Sequence, residues 1–164
     1  MALAHPLPAG GEVLDRDASG FTTRHSVTIL RPRADVYRAA VGRVGSWWSD
    51  DYTVSGHASS LYIEARTQGC FCEKLGERAG VVHMTVTFIN PGVMLRLTGG
   101  LGPLGLMGVS GNMTWEFADS VDGTTVTWSY AVGGYLPDGP DRMADAVDGI
   151  LTEQMNLLKV FAEQ

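Results

Sequence analysis

Residues 140–164, PDRMADAVDGILTEQMNLLKVFAEQ, read as one long amphipathic helix. Met143, Val147, Ile150, Leu151, Leu157, Leu158 and Phe161 recur at the three-and-four spacing that lines up one helical face. Asp141, Asp145, Asp148, Glu153, Asn156 and Lys159 fall mostly on the other. Pro140 suits a first helical position, where a missing N–H costs nothing and φ is already set. A helix of this length runs about 35 Å, the width of a small domain. Its buried seam carries one polar residue, Gln154, between Ile150 and Leu158. Such a helix needs a broad apolar surface to lie on, and the segments upstream supply strands.

In FTTRHSVTIL (21–30), Phe21, Thr23, His25, Val27 and Ile29 share one face. Pro32 breaks that run; ADVYRAAVG (34–42) has helical spacing with Gly42 as its stop, and a second short helix is expected over Val44–Trp48. Residues 50–60 read as loop. LYIEAR (61–66), CFCEKL (70–75), VVHMTVTFI (81–89), VMLRLT (93–98), MTWEF (113–117) and TTVTWSYAV (124–132) read as strands joined by turn signals such as Asn90-Pro91-Gly92. Met113, Trp115 and Phe117 share a face, as do Val126, Trp128, Tyr130 and Val132. The segment 99–111 is glycine-rich and apolar, too broken for a regular element, and suits a mobile lid. Residues 1–19 read as a flexible lead-in and 20–164 as one domain. Short connections make the strands antiparallel neighbours, and helices segregated on one face give an α+β arrangement.

The 164 residues suffice for one domain with a real core. Twelve basic against eighteen acidic residues give a net charge of −6, which argues against nucleic acid or an anionic membrane as partner. No apolar run reaches the ~20 residues of a transmembrane helix. MALAHPLPAGGEV is not an intact signal peptide, but Ala2-Leu3-Ala4 has the small-x-small form found before a cleavage site. An exported chain with a trimmed leader and a cytosolic chain with a flexible N-terminus fit this start equally. Cys70 and Cys72 share a side of their strand, with Cα atoms near the outer limit for an unstrained disulfide, and are expected as buried free thiols.

The order strand, two short helices, six strands, long helix (β-α-α-β6-α) resembles the helix-grip fold of the START-related, birch-pollen-allergen-like superfamily. The resemblance runs from Phe21 to Phe161. It is carried by FTTRHSVTILRPRADVYRAAVGRVGSWWS, by QGCFCEKLGERAGVVHMTVTFINPGVMLRLTG, and by GNMTWEF and DGTTVTWSY before the last helix. The chain looks nearest the polyketide-cyclase-like and heat-shock-ATPase-activator-like members. The resemblance implies a curved antiparallel sheet of about seven strands wrapped around the C-terminal helix, with an apolar cavity between them. Members bind lipids, polyketides and other hydrophobic molecules, some act as cyclases or dehydratases, and some bind proteins. The likeness of the GCFCE and GGYLP segments to exported relatives tips the balance slightly toward a periplasmic or secreted location.

The expected pocket opens near the glycine-rich segment and is lined by Trp48, Leu97, Leu104, Met107, Trp115, Trp128, Tyr130, Gln154 and Leu158. The same residues would fill a solid core equally well. Buried Gln154 needs a strand side chain, water or ligand to satisfy its amide. Glu73 and His83 form a candidate acid/base pair if they face each other across two strands, with His25 and Tyr130 as further proton-transfer candidates. A one-residue slip would instead set Cys72 against His83, but no fourth zinc ligand is evident, so neither metal nor cofactor is expected. The leading expectation is a module for a small hydrophobic ligand, as a monomer or weak homodimer. A cyclase/dehydratase-type enzyme and a protein-interaction module are the alternatives.

Overall fold

The computed structural model describes residues 9–164. Eight strands form one antiparallel sheet: β1 (Gly10–Asp17), β2 (Gly20–Ile29), β3 (Leu61–Ile63), β4 (Cys70–Lys74), β5 (Gly80–Asn90), β6 (Met94–Gly99), β7 (Gly108–Ser120) and β8 (Gly123–Tyr135). Their order across the sheet is β1-β2-β8-β7-β6-β5-β4-β3. Helix α1 (Arg33–Gly42) follows β2, and helix α2 (Ala144–Ala162) closes the chain. This is an α+β fold of the helix-grip type.

Alternation along the strands makes one face of the sheet apolar. On β7 and β8 the opposed pairs Met113↔Tyr130, Trp115↔Trp128 and Phe117↔Val126 all point inward and are buried. The outer face of the same strands carries Asn112, Thr114, Glu116, Thr125, Thr127 and Ser129. The β5–β6 turn is closed by the Val93 N–H donating to Asn90 O at 2.9 Å. Gly92 there has φ 78°, which a side chain at the third turn position would resist.

Helix α2 rests on β1, β2 and α1, and the segment 43–60 covers the interior beyond it. Its buried seam is Ala144, Val147, Leu151, Gln154, Met155 and Leu158; Ile150 and Leu157 are only half-buried at its margins. Each fully buried Leu or Met contributes about 1.5–3 kcal/mol relative to exposure. Lys159, expected on the wet face, is buried instead, with Nζ donating to Thr28 O at 2.7 Å and pairing with Glu163 Oε1 at 2.6 Å.

Several expectations are corrected. The lead-in to residue 19 contains β1, an edge strand paired along β2, so the sheet has eight strands rather than about seven. The small-x-small motif of residues 2–4 lies outside the described residues. The second helix is a single 3-10 turn, Val44–Ser46, and the glycine-rich segment holds another, Gly102–Leu106, before β7 starts at Gly108. Pro140–Met143 also form a 3-10 turn, so the α-helix proper begins at Ala144. No helix among the described residues is long and apolar enough to cross a membrane.

Candidate functional site

All four tryptophans of the chain meet between sheet and cover. Trp115 and Trp128, opposite each other on β7 and β8, stack with centroids 4.7 Å apart and planes at 19°. Trp47, immediately after the 3-10 turn, lies 6.0 Å from Trp128, 6.2 Å from Trp115 and 5.5 Å from Trp48. The run continues edge-on from Trp48 to Phe71 (5.4 Å) and from Phe71 to His83 (5.8 Å). Aromatic rings therefore occupy the interior from the β8 side to the β5 side.

Eight of the nine residues expected to line a pocket, Trp48, Leu97, Leu104, Trp115, Trp128, Tyr130, Gln154 and Leu158, are buried in this core, and Met107 packs at its margin. They are brought together as packed neighbours. The expected opening at the glycine-rich segment is shut: Leu104 is buried, and the Tyr130 hydroxyl donates to Gly99 O (3.0 Å) while accepting the Leu101 N–H (3.1 Å). Burial also pushes the Tyr130 phenol pKa up, more than the Leu101 hydrogen bond lowers it, and so keeps it protonated. Among the described residues, two of the concavities open to solvent stand out. One, of about 490 Å³, is bordered by Asp15, Asp17, Gly20, Asn112 and Gly133; the other, of about 320 Å³, by Tyr62, Cys72, Lys74, Arg78 and Val82. Neither involves any of the nine.

The interior is nevertheless not free of polar groups. Gln154 Oε1 accepts the Ser49 N–H at 2.9 Å, but its amide nitrogen has no protein partner. The same holds for Thr23 Oγ1, His25 Nδ1 and Trp128 Nε1. The registers Thr23↔Tyr130 and His25↔Trp128 place these three groups close together on the inner sheet face. By contrast, the other indoles donate to Ala39 O, Tyr52 O and Met113 Sδ. His25 is buried, with Nε2 3.1 Å from Asp148 O and 2.9 Å from Asp148 Oδ1. Burial holds its pKa below the ordinary histidine value despite the nearby Asp148 carboxylate, so Nε2–H donates and Nδ1 is a bare acceptor. Sequence reading put Thr23 and His25 on the apolar face of their strand. Two polar residues in that row were the available signal for this cluster.

A second polar cluster lies under the segment 53–57. Pairing runs Phe71↔Met84 and then Cys72↔Val82, so His83 is the extra residue of a β-bulge, and both His83 and Met84 turn inward. Glu73 is opposite Val81, on the face that His83 joins. Its carboxylate accepts His83 Nε2 at 2.9 Å, the Val54 N–H at 3.0 Å and the Ser55 N–H. Burial alone would raise the Glu73 pKa; the hydrogen bonds from Ser55, Val54 and His83 outweigh it and take the pKa down to about 2. Glu73 is thus an ionised anchor for the backbone at 54–55. Cys70 and Cys72 face the other way. Rather than free thiols they form a disulfide, with Cα atoms 5.4 Å apart.

No family model matches the chain, and no curated protein matches it. Solved structures do. An uncharacterized protein from Rhizobium leguminosarum aligns at 18% identity and TM-score 0.63, over 96% of this chain and 99% of that one. CalU16 from Micromonospora echinospora aligns at 13% identity and TM-score 0.57, over 93% and 80% of the two chains. DynU16, a protein of the dynemicin biosynthetic locus, aligns at 17% identity and TM-score 0.58, over 86% of this chain and 46% of that one. At these identities the likeness establishes the fold.

Proposed function

We propose that this chain belongs to the START-related superfamily and binds a small hydrophobic molecule that carries at least one hydrogen-bonding group. The proposed site lies between β2, β8 and α2, where the closed structure holds packed side chains. The observation that carries this reading is a set of buried polar atoms without a protein partner: the Trp128 indole N–H, the His25 Nδ1 lone pair and the Thr23 hydroxyl side by side on the inner sheet face, and the Gln154 amide on α2. Each unpaired buried group costs about 1–3 kcal/mol, which a ligand carbonyl or hydroxyl would offset. Around them the walls are aromatic and aliphatic, as ligand sites usually are. The closed arrangement then opens by withdrawing residues 99–107, which Tyr130 holds at Gly99 and Leu101. DynU16, from the dynemicin biosynthetic locus, shares the fold.

The direct test is native mass spectrometry and thermal shift against fatty acids, sterols and aromatic polyketides. A retained ligand that raises Tm in the native chain, and less so in Trp128→Phe and Gln154→Leu, is the expected result. No shift from any class would leave the aromatic core as packing alone.

A cyclase/dehydratase-type activity is a second reading, favoured by one observation: His25 and His83 each keep one ring nitrogen without a partner inside the protein. Turnover of a bound polyketide that is lost in His25→Gln would support it.

A further inference from the structure

The Cys70–Cys72 disulfide joins residues only two apart. A ring that short removes little freedom from the unfolded chain, so a gain in stability does not account for it. Its effect on the folded strand is local. Two residues of a regular antiparallel strand span about 6.8 Å, whereas these Cα atoms are 5.4 Å apart. The register shift between β4 and β5 falls between Phe71 and Cys72, within the disulfide loop. That bulge turns His83 inward onto Glu73, and Glu73, the residue after Cys72, holds the 54–55 backbone.

The disulfide is also placed for chemistry from outside. Cys72 borders the groove of about 320 Å³ but is itself buried at 4% exposure, so half-buried Cys70 is the more accessible sulfur. Tyr62 and Val82 flank Cys72 on the neighbouring strands. Lys74 and Arg78 line the groove with Glu77, and Lys74 Nζ sits 5.3 Å from the centre of the Tyr62 ring.

We infer that Cys70–Cys72 is a reversible dithiol–disulfide site that exchanges with a low-molecular-weight thiol in this groove. Its redox state sets the Glu73–His83 contact and the hold on residues 54–55. The chemistry balances as follows. A thiolate RS⁻ attacks one sulfur, the Cys70–Cys72 bond breaks, and a mixed disulfide forms while the other cysteine leaves as thiolate and takes a proton. A second RS⁻ attacks the mixed disulfide, releasing RSSR and the dithiol. Two thiols are oxidised and the cystine is reduced by two electrons.

The test uses the folded chain with glutathione as the probe. Reduced glutathione in large excess, followed by alkylation and mass spectrometry, is expected to label both cysteines together, and oxidised glutathione is expected to restore the bond. Amide hydrogen exchange at Val54 and Ser55 is expected to run roughly tenfold faster in the reduced protein. The double variant Cys70→Ser/Cys72→Ser is expected to show the fast rate in either buffer. A bond that resists glutathione in the native protein overturns the inference. So does exchange at 54–55 that stays at the oxidised rate in both the reduced protein and the double variant.

Discussion

Gln154 Oε1 accepts the backbone N–H of Ser49 at 2.9 Å, and this bond ties the last helix to the segment that carries Trp47 and Trp48. One side chain thus joins α2 to the cover of the aromatic interior, 105 residues apart in the chain. Replacing it by leucine strands the Ser49 N–H but removes the unpaired amide. Gln154→Leu is expected to destabilise the fold by about 1–2 kcal/mol, less than a buried polar deletion of both effects combined. Urea unfolding measures the total, and faster hydrogen exchange at Ser49 would locate it.

Glu73 gives the clearest pH dependence. Its folded pKa of about 2 lies below the ordinary 4.5, so on acidification the unfolded state binds the proton first. The stabilisation is fully present above pH 4.5 and is lost as pH falls toward 2. The full difference amounts to about 3 kcal/mol. Urea midpoints at several pH values should fall across that window in the native protein and fall much less in Glu73→Gln, which is already weakened at neutral pH.

His25 acts in a different range. Burial depresses its pKa below 6.5, so the folded protein keeps the ring neutral while the unfolded chain takes up a proton. Stability from this residue is present above pH 6.5 and declines as pH falls from there to the folded pKa. An NMR titration should find His25 still neutral at pH 6.5, and His25→Leu should flatten the stability profile just below it.

The Trp115–Trp128 stack predicts an exciton couplet in the far-UV circular dichroism. Trp115→Ala should abolish it and cost about 3–5 kcal/mol, because both rings are fully buried. Trp128→Phe should also remove the couplet but cost far less, since it deletes an indole N–H that has no partner. Equal losses for the two variants would contradict that account.

Tyr130→Phe leaves the Gly99 carbonyl and the Leu101 N–H without their shared partner. About 1–2 kcal/mol of destabilisation is expected, with faster amide exchange confined to residues 99–107. If this segment is the entrance, hydrophobic ligands should also bind the variant faster than the native chain in stopped-flow mixing.

The strands from β4 onward and the closing helix were legible because each alternates or repeats with one period. The inward row Trp115, Trp128 and Tyr130 could be named from that alternation. Strand β1 could not, because GGEVLDRD has only Val13 and Leu14 as apolar residues and its ladder shifts between Val13 and Asp15. Val44–Trp48 has apolar residues close enough for a helix but tightens into a 3-10 turn. The β5 bulge was the largest loss. It set Glu73 and His83 on one side, as one of the two registers considered had it, and it sits where Cys70 and Cys72 come within bonding reach. The contacts of Ser49 with Gln154 and of His25 with Asp148 join residues more than a hundred positions apart, and local periodicity carries no trace of them.

The sheet order β1-β2-β8-β7-β6-β5-β4-β3 has a consequence for how the chain reaches this state. From β3 to β8 every strand pairs with its sequence neighbour, so that these six of the eight strands can zip up hairpin by hairpin. The β2–β8 seam cannot: Gly20 meets Gly133 and Ile29 meets Thr124. Closing a loop of roughly a hundred residues is the slow kind of step, which places folding in the millisecond-to-second range and leaves the β8 edge bare until β2 arrives. Until then β8 is an open template for a second copy of the chain. Refolding yield should therefore fall with protein concentration, and substitutions in the β2–β8 seam should slow folding more than those in the β5–β6 hairpin.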